Sequence, residues 1–287
     1  MKAPRVESLH HAESGTWSHL VFDPDSGIAA LIDPVLDFDI KSGRTGVAFA
    51  QRLLDLVAKH RCTVQWILET HAHADHLSAA PWLKQRLDAR VGIGAGIVDV
   101  QRTFKPIFNL EPDFATDGSQ FDHLFGDGER FALGAIDAEV IPTPGHTSDS
   151  VSYRIGDAVF VGDSLFMPDA GTARCDFPGG DAALLHTSIL RLYQLPAETR
   201  IFVCHDYCPG GREARTETTI GEQKENNIHL RADTSVAAFV ALRQARDATL
   251  AMPALIIPAV QVNIRAGAFP PAEENGIRYL KLPLDTL

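Results

Sequence analysis

Residues 70 to 76 read Thr70-His71-Ala72-His73-Ala74-Asp75-His76, so three imidazoles and a carboxylate fall within six consecutive positions. Imidazole and carboxylate at this density are the ligand types of first-row transition metals, and a metal is the reading that explains the cluster. The motif also constrains its surroundings. Upstream, Val64-Gln65-Trp66-Ile67-Leu68-Glu69 is a short, β-prone apolar run, which predicts a buried strand ending at the motif. Downstream, Ser78-Ala79-Ala80-Pro81-Trp82-Leu83-Lys84 predicts a helix start, with Ser78 as cap and Pro81 in the first turn. His71 and His73, two apart in extended chain, point the same way, while the turn into the helix directs Asp75 and His76 towards an adjacent position. One motif therefore has room to serve two metal sites.

The flanking chain reads as α/β. Thr16 to Phe22 and Ile28 to Asp33 form a hairpin around the turn residues Pro24-Asp25-Ser26-Gly27. Val47, Phe49, Leu53, Leu54 and Val57 recur at helical spacing up to His60, predicting an amphipathic helix before the motif strand. A short strand at 91–94 and a helix from Ile97 to Leu110, interrupted near Pro106, follow. The runs 130–133, 138–141, 150–155 and 158–161 read as a β-meander. Asp181 caps a helix to Leu195, and Arg200 to Cys204 is a last buried strand. Helices are expected around 216–230 and 235–248, with an irregular, proline-rich tail from Pro253.

Three further ligand-type residues sit where these strands end: His146 in Pro144-Gly145-His146-Thr147, Asp163 in Gly162-Asp163-Ser164, and His205 in Cys204-His205-Asp206-Tyr207. Loops fixed by buried strands are common mounts for metal and catalytic groups. The other seven histidines, His10, His11, His19, His60, His123, His186 and His229, are scattered and read as surface or structural residues.

Composition narrows the class of partner. A formal net charge of −11 over 287 residues argues against a grip on nucleic acid phosphates and leaves a small molecule as the default substrate. No stretch approaches the ~20 apolar residues of a membrane span, and residues 1–8 lack a signal-peptide core, so a soluble, cytoplasmic protein without membrane contact is expected. Cys62, Cys175, Cys204 and Cys208 have neither zinc-knuckle nor Cys-x-x-Cys spacing and read as unpaired thiols.

Taken as a series, His-x-His-x-Asp-His, Pro-Gly-His-Thr, Gly-Asp-Ser and Cys-His-Asp-Tyr resemble the metallo-β-lactamase superfamily over roughly residues 15 to 210. The resemblance implies an α/β fold of the αββα kind, two sheets face to face with helices outside. It would form a single domain over 1–287, with a core at about 15–210 and a helical and irregular C-terminal extension at about 211–287. Within the superfamily the chain looks most like glyoxalase II and its relatives the persulfide dioxygenases. Gly171-Thr172-Ala173-Arg174-Cys175-Asp176-Phe177, His205-Asp206-Tyr207 and Asn263-Ile264-Arg265-Ala266-Gly267 resemble motifs of the dioxygenases, although the span between Asp163 and Arg174 is longer than in the animal enzymes.

For the dioxygenase, the resemblance implies one iron(II) per chain on His71, His146 and Asp163, with His73, Asp75, His76 and His205 as a surrounding shell or second site. The reaction would oxidise glutathione persulfide with O2 to sulfite and glutathione. The alternative is a thioester hydrolase of the glyoxalase II kind, with two zinc ions held by His71, His73, His146 and a bridging Asp163, and by Asp75, His76 and His205. A third reading is a metal- or thiol-binding module without turnover. Arg174, Tyr207 and Arg215 are the candidate substrate-binding residues, Arg174 either clamping a carboxylate or bracing Asp176 or Asp206. Arg212 and Lys224 are weaker candidates for the glutathione carboxylates. A homodimer is expected, and any sulfurtransferase or sulfide:quinone oxidoreductase acting upstream would be a separate protein.

Overall fold

The computed structural model describes residues 2–286. In chain order the first half contains β1 (Arg5–His11), β2 (Thr16–Phe22), β3 (Ile28–Ile32), β4 (Val35–Asp39), β5 (Arg44–Gly46), α1 (Ala48–His60), β6 (Thr63–Leu68), β7 (Leu77–Ser78), α2 (Ala80–Leu87), β8 (Arg90–Gly94), α3 (Ile97–Ile107) and β9 (His123–Phe125). The second half contains β10 (Arg130–Leu133), β11 (Ile136–Pro142), β12 (Val151–Ile155), β13 (Ala158–Phe160), α4 (Ala182–Leu192), β14 (Arg200–Phe202), β15 (Glu217–Thr219), α5 (Ile220–Asn226), α6 (Val236–Asp247) and α7 (Ile256–Asn263).

The strands form two six-stranded sheets, ordered β1-β2-β3-β6-β8-β9 and β10-β11-β12-β13-β14-β15, and a small sheet β5-β4-β7. The first begins antiparallel and continues parallel from β3 to β9, because helices cover the crossovers. The second is the expected meander, ending in a parallel β13–β14 pair and an antiparallel edge.

Alternation along the strands separates three apolar layers, as successive side chains of a strand face opposite ways. In β2 and β3, Leu20, Phe22, Ala29 and Leu31 join one buried cluster while Val21, Ala30 and Ile32 join another. In β13 and β14, Ala158, Phe160 and Phe202 face the first sheet, whereas Val159 and Ile201 pack outward with Leu185 and Ile189 of α4 and Phe239 of α6. The central layer lies between the sheets, and α1, α2, α3 and α7 close the far side of the first. This is the four-layer αββα sandwich expected from the sequence.

Three local expectations need correction. The helix expected at 216–230 is shorter: Glu217–Thr219 pairs with β14 as an edge strand, and only Ile220–Asn226 is helical. The tail beyond Pro253 contains α7, whose Ile256, Ala259, Val260 and Val262 are buried in the core cluster of the first sheet. Finally, α2 starts at Ala80 with Ala79 in the cap position, while Ser78 belongs to β7 and its Oγ accepts from the Ala80 N–H at 3.0 Å. Ser78 Oγ in turn donates to the buried Glu69 carboxylate.

Candidate metal centre

The His-rich segment is the chain leaving β6, and two buried carboxylates from other strands hold it in place. Asp33, which follows β3 in the left-handed backbone region (φ 49°), accepts from Thr70 N at 2.7 Å and Thr70 Oγ1 at 2.9 Å. Asp149, before β12, accepts from Ala72 N at 2.8 Å. A third support comes from the end of α7: Asn263 Nδ2 donates to the carbonyls of His73 and His76, each at 2.8 Å, and its Oδ1 accepts from Ser78 N at 2.9 Å. The C-terminal Asn-x-Arg-x-Gly motif is thus a clamp on the metal loop. Arg265 braces it through Glu111 at 2.5 Å and the face of Phe114, and a side chain at Gly267 would meet Ser78 O at 2.9 Å.

Hydrogen bonds also fix which nitrogen is free in four of the five imidazoles, those of His71, His73, His76 and His146. The Thr70 hydroxyl donates to Asp33, so towards His71 Nδ1, 3.0 Å away, it accepts; the ring proton sits on Nδ1 and Nε2 carries the lone pair. His146 Nδ1 donates to the Arg174 carbonyl at 2.7 Å, leaving Nε2 facing Asp163 Oδ2 at 3.6 Å. His73 donates from Nε2 to Asp33 Oδ1 at 2.9 Å, leaving Nδ1 free. His76 Nδ1 contacts Thr16 Oγ1 and Asp75 Oδ2 at 3.3 and 3.1 Å, leaving Nε2 free. His205 Nε2 lies 3.3 Å from Asp75 Oδ2 and 3.5 Å from Asp163 Oδ1. Consequently His71 Nε2, His73 Nδ1, His76 Nε2, His205 Nε2 and Asp163 Oδ1 are all buried without a hydrogen-bond partner.

Orphaned buried polar atoms on this scale are costly in a metal-free interior, and outer hydrogen bonds that orient imidazole lone pairs are the usual surroundings of metal ligands. The ligand atoms of His71, His146 and Asp163 lie within 4.8 Å of one another, as do those of His73, Asp75 and His76. The residues therefore fit a metal: the chain carries a binding site of histidine and aspartate side chains, built from the ends of β6, β13 and β14 and the loop before β12.

The electrostatics agree. Burial and the neighbouring imidazoles hold His71 and His73 well below the ordinary histidine range, so both stand as free bases, the form that binds metal. Burial also raises the carboxyls of Asp33, Glu69 and Asp163. Asp75 behaves oppositely: despite burial, His205 and His76 draw it well below the usual carboxylate range. His205 is raised, since Asp163 and Asp75 outweigh the effect of burial.

The centre opens into a cavity of about 590 Å³ with Asp75, His76, His146, Asp163 and His205 among its lining residues. Phe166, Phe177 and Tyr207 form part of its wall, and Leu250 to Leu255 reach it from the C-terminal segment. Arg174 lines the cavity but is engaged, bidentate with Asp176 at 2.6 and 2.7 Å and bonded to Ala251 O at 2.7 Å; of the two roles considered for it, bracing is the one these contacts serve. Tyr207 is 66% exposed, with its ring parallel to that of His205. Arg215 is not in this cavity. It lies 3.4 Å from Asp169 beside a smaller depression, and Arg212 is bound to Asp169 and Asp206. The cavity's remaining cations, Arg243 and Arg246 of α6, were not singled out in the sequence because they follow an ordinary helical spacing. Asp33, Asp149 and Thr16 were missed for the same kind of reason: each acts through contacts more than 35 positions away.

The profile of the metallo-beta-lactamase superfamily matches residues 12–205. A probable metallo-hydrolase of Burkholderia pseudomallei is 50% identical over 98% of this chain and 99% of its own length. A beta-lactamase hydrolase-like protein of Agrobacterium fabrum is 53% identical over 99% of the chain, which spans 65% of that longer relative. Among solved structures, ETHE1 from Myxococcus xanthus superposes with a TM-score of 0.73 at 32% identity, covering 92% of this chain and 100% of that one. The persulfide dioxygenase ETHE1 of Bos taurus is 28% identical over 91% of this chain and 88% of its own. With a profile that spans well over half of its length, the chain belongs to the metallo-beta-lactamase superfamily.

Proposed function

We propose that this chain is a persulfide dioxygenase, which oxidises glutathione persulfide with O2 to sulfite and glutathione at a single iron(II). The observation that carries the reading is the grouping of His71, His146 and Asp163, two imidazoles and one carboxylate from three separate loops, beside a cavity of about 590 Å³. A two-histidine, one-carboxylate set leaves open positions for both a substrate sulfur and dioxygen. When bound, iron supplies the redox chemistry that zinc lacks. The likeness to ETHE1 from Myxococcus xanthus and to the bovine persulfide dioxygenase supports the same choice.

In this reading the protein's own contribution is orientation. Thr70 and the Arg174 carbonyl fix the lone pairs of His71 and His146, while Phe166, Phe177 and Tyr207 shape the apolar side of the cavity against which the substrate lies. His73, Asp75, His76 and His205 tune the centre from outside the iron shell.

A second reading is favoured by one observation. His73, Asp75 and His76 also converge within 4.8 Å, as a second ion would require, and the relatives at 50% and 53% identity are named as hydrolases. Anaerobic purification followed by elemental analysis and oxygen-uptake measurement separates the two. About one iron per chain, with O2 consumed on addition of glutathione persulfide and iron retained in His205→Ala, is the expected result. Two zinc per chain, thioester turnover and no oxygen uptake after iron reconstitution would sink the dioxygenase.

A further inference from the structure

We propose that Thr16, Ser14 and His11 form a proton relay that connects the Asp75 and His76 side of the metal centre to Asp37 at the protein surface. Thr16 Oγ1 lies 3.1 Å from Asp75 Oδ2 and 3.3 Å from His76 Nδ1. Ser14 Oγ lies 2.7 Å from Thr16 Oγ1 and 2.8 Å from His11 Nδ1. His11 Nε2 is 3.3 Å from Asp37 Oδ1. The contacts run without a gap from the centre, through fully buried Thr16, to an aspartate whose side chain is 25% exposed.

The groups have the right valence for a relay. Each hydroxyl has one proton and two lone pairs, so it can donate in one direction while accepting from the other. At rest, Ser14 N also points at His11 Nδ1 at 3.2 Å, which places the lone pair on Nδ1 and the ring proton on Nε2, towards Asp37. Once the Thr16 hydroxyl, which at rest donates to Asp75, has turned towards Ser14, a proton leaving the centre passes to Thr16 Oγ1 as Thr16 passes its own to Ser14; Ser14 passes its own to His11 Nδ1, and Nε2 releases one to Asp37. One proton has then crossed to Asp37, which releases it to solvent, and His11 is left with its proton on Nδ1; rotation of the two hydroxyls together with a flip of the His11 ring resets the chain. The groups facing His11 are Asp37 of β4, Glu13 of its own turn, His76 beyond Thr16, and Phe49 of α1, packed edge-on at 4.9 Å.

Turnover at this centre gives the relay its task. The inference rests on catalysis there but holds for both readings, because each liberates one proton. A persulfide anion reacts as RSS⁻ + O2 + H2O → RSH + SO3²⁻ + H⁺, the sulfane sulfur being oxidised by four electrons and dioxygen reduced by four. A thioester reacts as RCOSR′ + H2O → RCOO⁻ + R′SH + H⁺. With substrate filling the cavity, side chains in its wall offer a proton path that does not cross the substrate.

The test uses the metal-loaded, full-length protein and whichever of the two substrates it turns over. Ser14→Ala and His11→Ala are expected to lower kcat about 10- to 100-fold with little change in KM or metal content. Added imidazole should restore His11→Ala saturably and leave Ser14→Ala slow, and Ser14→Thr should retain the parental rate. Unchanged kcat in both variants, or a loss in His11→Ala that imidazole does not restore, overturns the relay. A second readout needs neither metal nor turnover, so it decides the relay even if the proposed activity fails. In the metal-free protein, Asp75→Asn should shift the ring ¹⁵N signals of His11 by NMR, and Ser14→Ala should abolish that response. No shift in the parental background also overturns the proposal.

Discussion

At the residue scale, the ligands were legible because a metal centre needs rare residue types at short spacing, whereas the groups that orient them are ordinary residues at long range. Asn263 illustrates the difference. Its segment resembles a dioxygenase motif, but no metal-ligand type in it announces a role at the centre; its amide nevertheless serves one N–H and two carbonyls of a segment some 190 positions away. Asn263→Ala leaves these three buried groups without partners, and since each orphaned group costs about 1–3 kcal/mol, a loss of at least about 3 kcal/mol is expected in urea denaturation. Metal affinity should fall about 10- to 100-fold as the backbone of His73 and His76 loosens. Asn263→Asp, which keeps the acceptor for Ser78 N but cannot donate to the carbonyls, should be no better. Parental affinity in either variant would show that the clamp is dispensable.

At the element scale, the strands and helices read best where one face is buried and the other is not. The β2–β3 hairpin, α1 and the meander β10 to β13 have that pattern, and they stand close to where the sequence places them. Helix α7 was missed because Ile256, Pro258, Ala259, Val260, Gln261, Val262 and Asn263 are all buried, which removes the amphipathic stripe, and Pro258 argues locally against a helix. The packing of one helix on a ligand loop makes a further prediction. Gly145 precedes His146 at φ +141°, and a Cβ there would stand 2.4 Å from the backbone of Leu185 in α4. Gly145 O also accepts from Asp181 N at 2.8 Å, so the start of α4 rests on the loop. Gly145→Ala must therefore move α4 or His146, and the overpacking and backbone strain together should cost about 2–4 kcal/mol with a matching loss of bound metal. Gly43→Ala is the control, since φ is +66° there but a Cβ meets nothing within 4 Å; it should cost only about 1 kcal/mol and leave metal content intact. Equal behaviour of the two variants in denaturation and metal analysis would refute this account.

At the scale of the whole molecule, the sandwich was legible through the resemblance of the strand-end ligand series to the metallo-β-lactamase superfamily, with which the α/β and meander patterns of the chain are compatible. The consequences of burying scattered histidines were not. His19, read from the sequence as surface or structural, lies 2% exposed against the rings of Phe160 and Phe202, bonded to Ser8 Oγ at 2.9 Å. His229 accepts from Thr172 N at 2.9 Å beside the buried Arg243 guanidinium. Burial lowers both from 6.5 to about 4, with Arg243 adding to the effect at His229. At these two positions the folded state thus binds fewer protons than the unfolded state between pH 6.5 and 4, so their contribution to stability is present above pH 6.5, falls as the pH drops through this window, and stops falling below about 4. By pH 5 each histidine accounts for a loss of about 2 kcal/mol. Urea denaturation of the metal-free protein at pH 7 and pH 5 tests this without interference from metal release. His19→Gln and His229→Gln, whatever they cost at pH 7, should each shrink the difference between the two pH values by about 2 kcal/mol, and by about twice that together, because the two sites share no partner. A pH difference unchanged from the parent would mean that these histidines titrate alike in the folded and unfolded chain, and the acid sensitivity of the fold would have to come from other buried and half-buried groups, such as His10, His11 and the ligand cluster.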